Sequence, residues 1–152
     1  MEKGLSVSRD DLDEGLGDFL DDSYDYVILN QTLQVITKPD RIIREMLRVG
    51  RYGIIGFPNF GHWFLRANLL FGGRMPKSPA LPFEWYETPN IRQLTIRDFR
   101  DFCRAGGISI VHEEHFIAGR WMNSPLWRPF ANMLAVNGMF VLRGNSQGGK
   151  RQ

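Results

Sequence analysis

Apolar positions fall into short continuous runs separated by one strongly amphipathic segment. Leu5–Val7 reads as the end of a strand. An acidic, glycine-containing loop follows, and then Tyr24–Leu29 (YDYVIL), a β-prone run bounded by Asp21-Asp22-Ser23 and by the polar Asn30-Gln31-Thr32. A run apolar on both faces suits the middle of a parallel sheet. From Pro39 the period changes. Ile42, Ile43, Met46, Leu47 and Val49 form one stripe, with Arg41, Arg44, Glu45 and Arg48 opposite. That spacing predicts a helix with proline in its first turn, Asp40 at the positive dipole end and Gly50 at its stop. Tyr52–Phe57 (YGIIGF) is a second buried strand, so the segment is a βαβ unit.

The pattern breaks between residues 58 and 90, which are rich in aromatics and prolines. Such a stretch between regular elements reads as a lid or binding loop. Within it His62–Phe71 predicts a short amphipathic helix ended by Gly72-Gly73. Thr95–Ala105 predicts a further helix, with Thr95 as cap, Asp98 three residues on, and Ile96, Phe99, Phe102 and Cys103 facing inward. Ile108–Ile117 and Ala135–Leu142 read as strands joined by an aromatic loop, an antiparallel hairpin at one sheet edge. The fold class is α/β: a partial Rossmann-like sheet, mostly parallel with an antiparallel C-terminal edge. The domain spans residues 1–143 and residues 144–152 form a disordered tail.

Composition narrows the class without naming a chemistry. The chain has 152 residues, 43% hydrophobic and 24% charged, which suits a globular domain with a real core and excludes a disordered chain. No apolar run reaches the roughly 20 residues needed to span a bilayer, and the first residues hold no secretory signal. The single cysteine, Cys103, excludes an internal disulfide and fits a cytoplasmic protein. Net charge is +2, but residues 1–25 carry nine acids against two bases, leaving eight acids against seventeen bases elsewhere. The arginines are scattered, so solvated helix faces explain them better than a nucleic-acid surface. No metal cluster, GxGxxG, Walker loop or catalytic triad is present in the sequence.

In an open α/β sheet, ligands sit beyond the carboxyl ends of the strands. Three places qualify: Asp11-Leu12, Asn30-Gln31, and Asn59 with His62-Trp63. Asp11 suits an exocyclic amine, but spacing alone makes it one more solvated acid. Asn30 and Gln31 can donate and accept, and turn formation explains them equally well. His62 is the candidate general acid or base, because its pKa lies near 7 and it sits in the site loop; a packed or exposed histidine is the more common case. His112, His115 and Cys103 read as structural.

Three strings together resemble one family. YDYVILNQTLQVITKPDRIIREMLRVG, GFPNFGHWFLR and GRMPKSPALPFEWYETPNIRQLTIRDF look like the methionine biosynthesis protein MetW family, from about Glu2 to about Ile117. The resemblance implies a class I S-adenosylmethionine-dependent methyltransferase fold. It places Asp11-Leu12 against the cofactor's adenine, Asn30 and Gln31 beside its methionine moiety, and Asn59, His62 and Trp63 on the acceptor side. It also implies a role with homoserine O-acyltransferase as partner. The family pattern opens with a strand, a DLGCGDG-type glycine loop and a second strand ending in an acid. None of these is found here, so the resemblance describes an N-terminally truncated member. On that reading S-adenosylmethionine belongs to the intact pattern and is not expected to bind this chain tightly. Tyr24–Leu29 is left with an unpaired edge that invites self-association. A cofactor-binding enzyme, a non-catalytic partner protein and, last, a nucleic-acid binder are the three functional expectations.

Overall fold

The computed structural model describes Leu12, residues 15–79 and residues 81–144. The expected strand at Leu5–Val7, the candidate Asp11 and the tail beyond Gly144 lie outside the described residues. Five strands form one sheet: β1 (Tyr24–Asn30), β2 (Gly50–Pro58), β3 (Ser109–Ile117), β4 (Arg120–Met122) and β5 (Asn137–Arg143), in the order β1-β2-β5-β3-β4. Helices α1 (Pro39–Val49), α2 (Trp63–Gly72), α3 (Ile96–Ala105) and the single turn α4 (Ala131–Leu134), which a 3-10 turn at Arg128–Phe130 precedes, accompany the sheet.

The βαβ unit forms as its periodicity requires, with β1 and β2 parallel neighbours joined through α1. On α1 the stripe Ile42, Ile43, Met46 and Val49 is buried. Gly50 ends that helix for a reason other than the expected one. Its backbone is extended, and a Cβ there would lie 2.6 Å from the Val27 side chain. Room against β1, rather than a left-handed turn, requires glycine at this position. Helix α3 starts on a complete capping box, in which Thr95 and Asp98 each bond the other's backbone amide. Its inward residues Ile96, Phe99 and Cys103 are buried. The rings of Phe57, Phe99 and Phe140 meet at centroid distances of 4.8–5.6 Å, joining β2, α3 and β5.

The α/β class is as expected, but the sheet is not mostly parallel. One pairing is parallel and three are antiparallel. Strand β5 is not an edge strand. It inserts between β2 and β3, with Asn137 opposite both Pro58 and Phe116. Helix α4 returns the chain at the rim where β2 and β3 end, so β5 starts there and runs back against both. The segment read as an aromatic loop before β5 also holds β4, which forms the true edge. Ala118 (φ 49°) and Gly119 (φ 80°) make the two-residue turn from β3 into β4. Two successive positive φ values match the twist of an antiparallel pair.

The acidic loop is held to the body. Arg48, read from sequence as part of the wet face of α1, bonds the carbonyls of Leu16 and Phe19 and the carboxylates of Asp21 and Glu45. Leu12 and Leu16 pack against the core cluster. On the opposite face of the sheet, Tyr26 is 59% and Ile28 64% exposed, and Tyr26 stacks on Tyr52 at 5.5 Å. Among the described residues β1 has a neighbouring strand on one side only.

Phe140 is fully buried at the junction of both layers. Phe140→Ala is expected to lower stability by about 3–5 kcal/mol, read from the midpoint of urea denaturation at unchanged slope.

Candidate functional site

The carboxyl ends of β1 and β2 and the start of β5 lie on one rim, and most of the sequence candidates are there. Asn30 is exposed at the end of β1, its side chain over Gly56, where a Cβ would fall 2.6 Å from Asn30 Oδ1. The glycine in YGIIGF therefore makes room for this amide. Gln31 follows with a left-handed backbone (φ 52°), uncommon for a residue with a side chain, and its N–H donates to Gly56 O at 2.7 Å.

Asn59 is buried at 1% exposure. Its Nδ2 donates to the carbonyls of Asn132 and Ala135, and its Oδ1 accepts from the amides of Gly61 and Ile96. All four hydrogen-bonding positions of the side-chain amide are used within the protein. Asn59 thus ties β2 to α4, to the start of α3 and to its own loop. Gly61 completes this knot, since a Cβ there would lie 2.9 Å from Asn132 O.

His62 caps α2, its Nδ1 accepting from the Phe64 N–H at 3.3 Å. An accepting Nδ1 carries no proton, so the neutral ring bears its hydrogen on Nε2. Burial lowers the His62 pKa and favours this neutral form. The ring offers a donor rather than a free base. Trp63 is half exposed, edge-to-face with Phe64.

Helix α2 forms where expected, and Gly73 ends it in the left-handed conformation (φ 58°). It does not bury an apolar face: only Leu65 is buried, while Leu69, Leu70 and Phe71 are exposed. Apolar residues surround this helix on nearly all sides, so no single stripe can be covered. Phe83, Trp85 and Tyr86 of the lid are also at least half exposed.

A cleft of about 510 Å³ opens between rim and lid. Gln31, Gln34 and Val35 form one wall, Phe116, Val136 and Asn137 another, and lid residues including Phe83 and Asn90 the third. Of the sequence candidates only Gln31 lines it. Gln34 and Asn137 were not singled out from the sequence. The one available signal was a glutamine set among Leu33, Val35 and Ile36. The Gln34 carbonyl also accepts the amides of Ile91 and Arg92, anchoring the lid's end.

A polar cluster sits under α3. Glu113, 4% exposed, pairs with Arg100 at 3.0 Å and with Arg128, and Arg100 Nη2 lies 3.3 Å from His115 Nε2. Burial acts to raise the Glu113 pKa, but the Arg100 hydrogen bond and the charges of Arg100 and Arg128 outweigh it, and the carboxyl is held below its ordinary value. Burial lowers the His115 pKa, reinforced by the two arginines and opposed by Glu113 and Glu114. Burial pushes the Cys103 thiol up to about 11, which leaves it unreactive near neutrality.

A β-α-β core extended by antiparallel strands, with candidate residues on the carboxyl rim, makes this an α/β domain, and its likeness to solved structures is to the methyltransferase fold. The structure resembles a SAM-dependent methyltransferase from Archaeoglobus fulgidus, with TM-score 0.60 and 11% identity over 94% of this chain and 69% of that one. It also resembles a possible histamine N-methyltransferase from Thermotoga maritima, with TM-score 0.54 and 14% identity over 86% and 60% of the two chains. The family model of the methionine biosynthesis protein MetW matches residues 1–142, and the chain belongs to that family. A bifunctional methionine biosynthesis protein MetXA/MetW from Rhodopirellula baltica is 46% identical over 113 residues, 74% of this chain. The chain spans 18% of that relative's length. No helix among the described residues is long and apolar enough to cross a membrane.

Asn59→Ala removes four bonds to buried groups and is expected to cost about 2 kcal/mol or more in chemical denaturation. The titrating groups give a second expectation. His62 and His115 have native pKa values below the ordinary 6.5, so the unfolded chain binds more protons in that range. Their contribution is complete above 6.5 and is lost as pH falls toward the native values. Glu113 acts in the same direction below its ordinary 4.5. Stability is therefore expected to fall steadily on acidification from pH 7, followed by urea midpoints. Glu113→Gln is expected to lower the neutral-pH value by about 3 kcal/mol, by leaving two guanidinium groups beside an uncharged amide, and to flatten the most acidic part of the curve.

Proposed function

We propose that this chain acts in methionine biosynthesis as a non-catalytic partner of homoserine O-acyltransferase. The observation that carries this reading is the relative whose name joins MetXA and MetW in one bifunctional protein. The exposed apolar residues of α2 and of the lid support it. Exposed Leu70, Phe71 and Trp85 supply the large apolar and aromatic anchors on which interfaces depend. The domain organisation proposed with this reading is one methyltransferase-like unit over residues 1–143, with residues 58–90 as the lid that meets the partner.

Co-purification with the acyltransferase, followed by calorimetry, tests the partnership. Leu70→Ala with Trp85→Ala is expected to weaken association by roughly 30-fold or more, the scale of a lost hot spot. Unchanged affinity in that variant would exclude the lid as the contact.

A second reading has one observation in its favour, the placement of the Asn30 amide over the side-chain-free Gly56 at the rim. In it, the chain contributes the methionine-side wall of an S-adenosylmethionine site when a segment bearing the glycine loop completes the rim. The exposure of Asn30 and Gln31, and the lack of a glycine loop in the sequence, favour weak binding of that cofactor by this chain alone. No chemical step is assigned. Calorimetry with S-adenosylmethionine is expected to show no micromolar binding to this chain alone, and clear micromolar binding would overturn the non-catalytic reading.

Self-association through the outer edge of β1 belongs to the same proposal. Sedimentation is expected to show concentration-dependent dimers that weaken in Ile28→Lys, because edge lysines oppose strand pairing. A monomer at all concentrations would refute it.

A further inference from the structure

The lid holds a second cleft, which the proposed partnership leaves unexplained. It measures about 530 Å³ and opens between the residues that follow α2 and residues 81–88. The rings of Phe60, Phe83 and Trp85 line it. Size and lining suit a small organic molecule, because ligand sites are mostly apolar clefts of roughly 300–1,000 Å³ with a few polar groups.

The charges decide which molecule. Arg74, Lys77 and Glu84 are the charged residues of this lining. The Lys77 ammonium is spent on the Glu84 carboxylate, 2.5 Å away. Arg74 is exposed and forms no ion pair with a described carboxylate. The lining therefore carries one positive charge in excess, and one carboxylate balances it. An ammonium adds to the excess, and a doubly charged phosphate leaves a negative charge unmatched near Glu84. Thr88, Asn90 and Gln93 are neutral groups that meet donors and acceptors alike, so they do not alter this ranking. The planar fork of an arginine pairs with both oxygens of a carboxylate.

We propose that this cleft binds a small carboxylate with an aromatic or apolar arm, Arg74 pairing the carboxylate and the three rings taking the arm. Trp85 is also among the residues proposed to meet the acyltransferase. Binding of a small carboxylate to this chain alone involves no acyltransferase, so either proposal can fail while the other stands.

The test titrates phenylacetate, its neutral amide phenylacetamide, 2-phenylethylammonium and inorganic phosphate into isotopically labelled protein at mildly alkaline pH. Nuclear magnetic resonance follows the Trp85 indole and Asn90 side-chain amide signals. Phenylacetate is expected to shift both and to saturate at millimolar concentration, with the other three at least about fivefold weaker. Arg74→Gln, at an exposed position outside the helices, is expected to weaken phenylacetate about fivefold and to leave phenylacetamide unchanged. Glu84→Gln releases Lys77 as a second unmatched cation and is expected to tighten phenylacetate about twofold. Arg66→Gln, an exposed charge of α2 outside the lining, is expected to change nothing, which separates local pairing from net charge. No saturable shift with phenylacetate, equal binding of phenylacetamide or phosphate, undiminished binding in Arg74→Gln, or weaker binding in Glu84→Gln would overturn the proposal.

Discussion

The rim of this domain depends on one buried amide. Asn59 leaves the end of β2 and donates its nitrogen to the carbonyls of Asn132 in α4 and of Ala135 just after it, while its oxygen receives the amides of Gly61 and Ile96. A group so buried is costly unless every position is matched, and here every position is matched. One side chain therefore fixes where β5 begins, where α3 begins and how the loop leads into α2.

Beneath it lies an apolar layer of ordinary character. The α1 stripe and the Phe57–Phe99–Phe140 group bury one face of the sheet. The opposite face keeps Tyr26, Ile28 and Val111 more than half exposed. The polar exceptions on the covered face are Glu113, which its two arginines keep ionised, and His115 beside Arg100. That arrangement ties α3 to β3 through charge where the neighbouring contacts rely on packing.

The βαβ unit and α3 were legible because each rests on local signals: continuous apolar runs, a helical stripe, a capping pair. Strand order was not legible in the same way. Whether β5 runs beside β2 or at an edge is decided by where α4 returns the chain, a long-range matter that periodicity does not carry. The turn at Ala118-Gly119 was legible in principle but was hidden by the aromatic residues that follow it. Among the candidate residues, Asn30, Gln31, Asn59 and His62 were assigned to the rim by their position after strands. Position did not reveal that Asn59 is fully engaged inside the protein or that His62 serves as a helix cap. Gln34 and Asn137 escaped because standing in a cleft wall is a property of three-dimensional surroundings, with no signature in residue type.

The backbone and side chain of Gln34 face different clients. Its carbonyl grips the amides of Ile91 and Arg92 at the end of the lid, while its amide group stands in the cleft wall. Because the grip is made by backbone atoms, a substitution at position 34 remakes the wall of the cleft while the anchor of the lid stays in place.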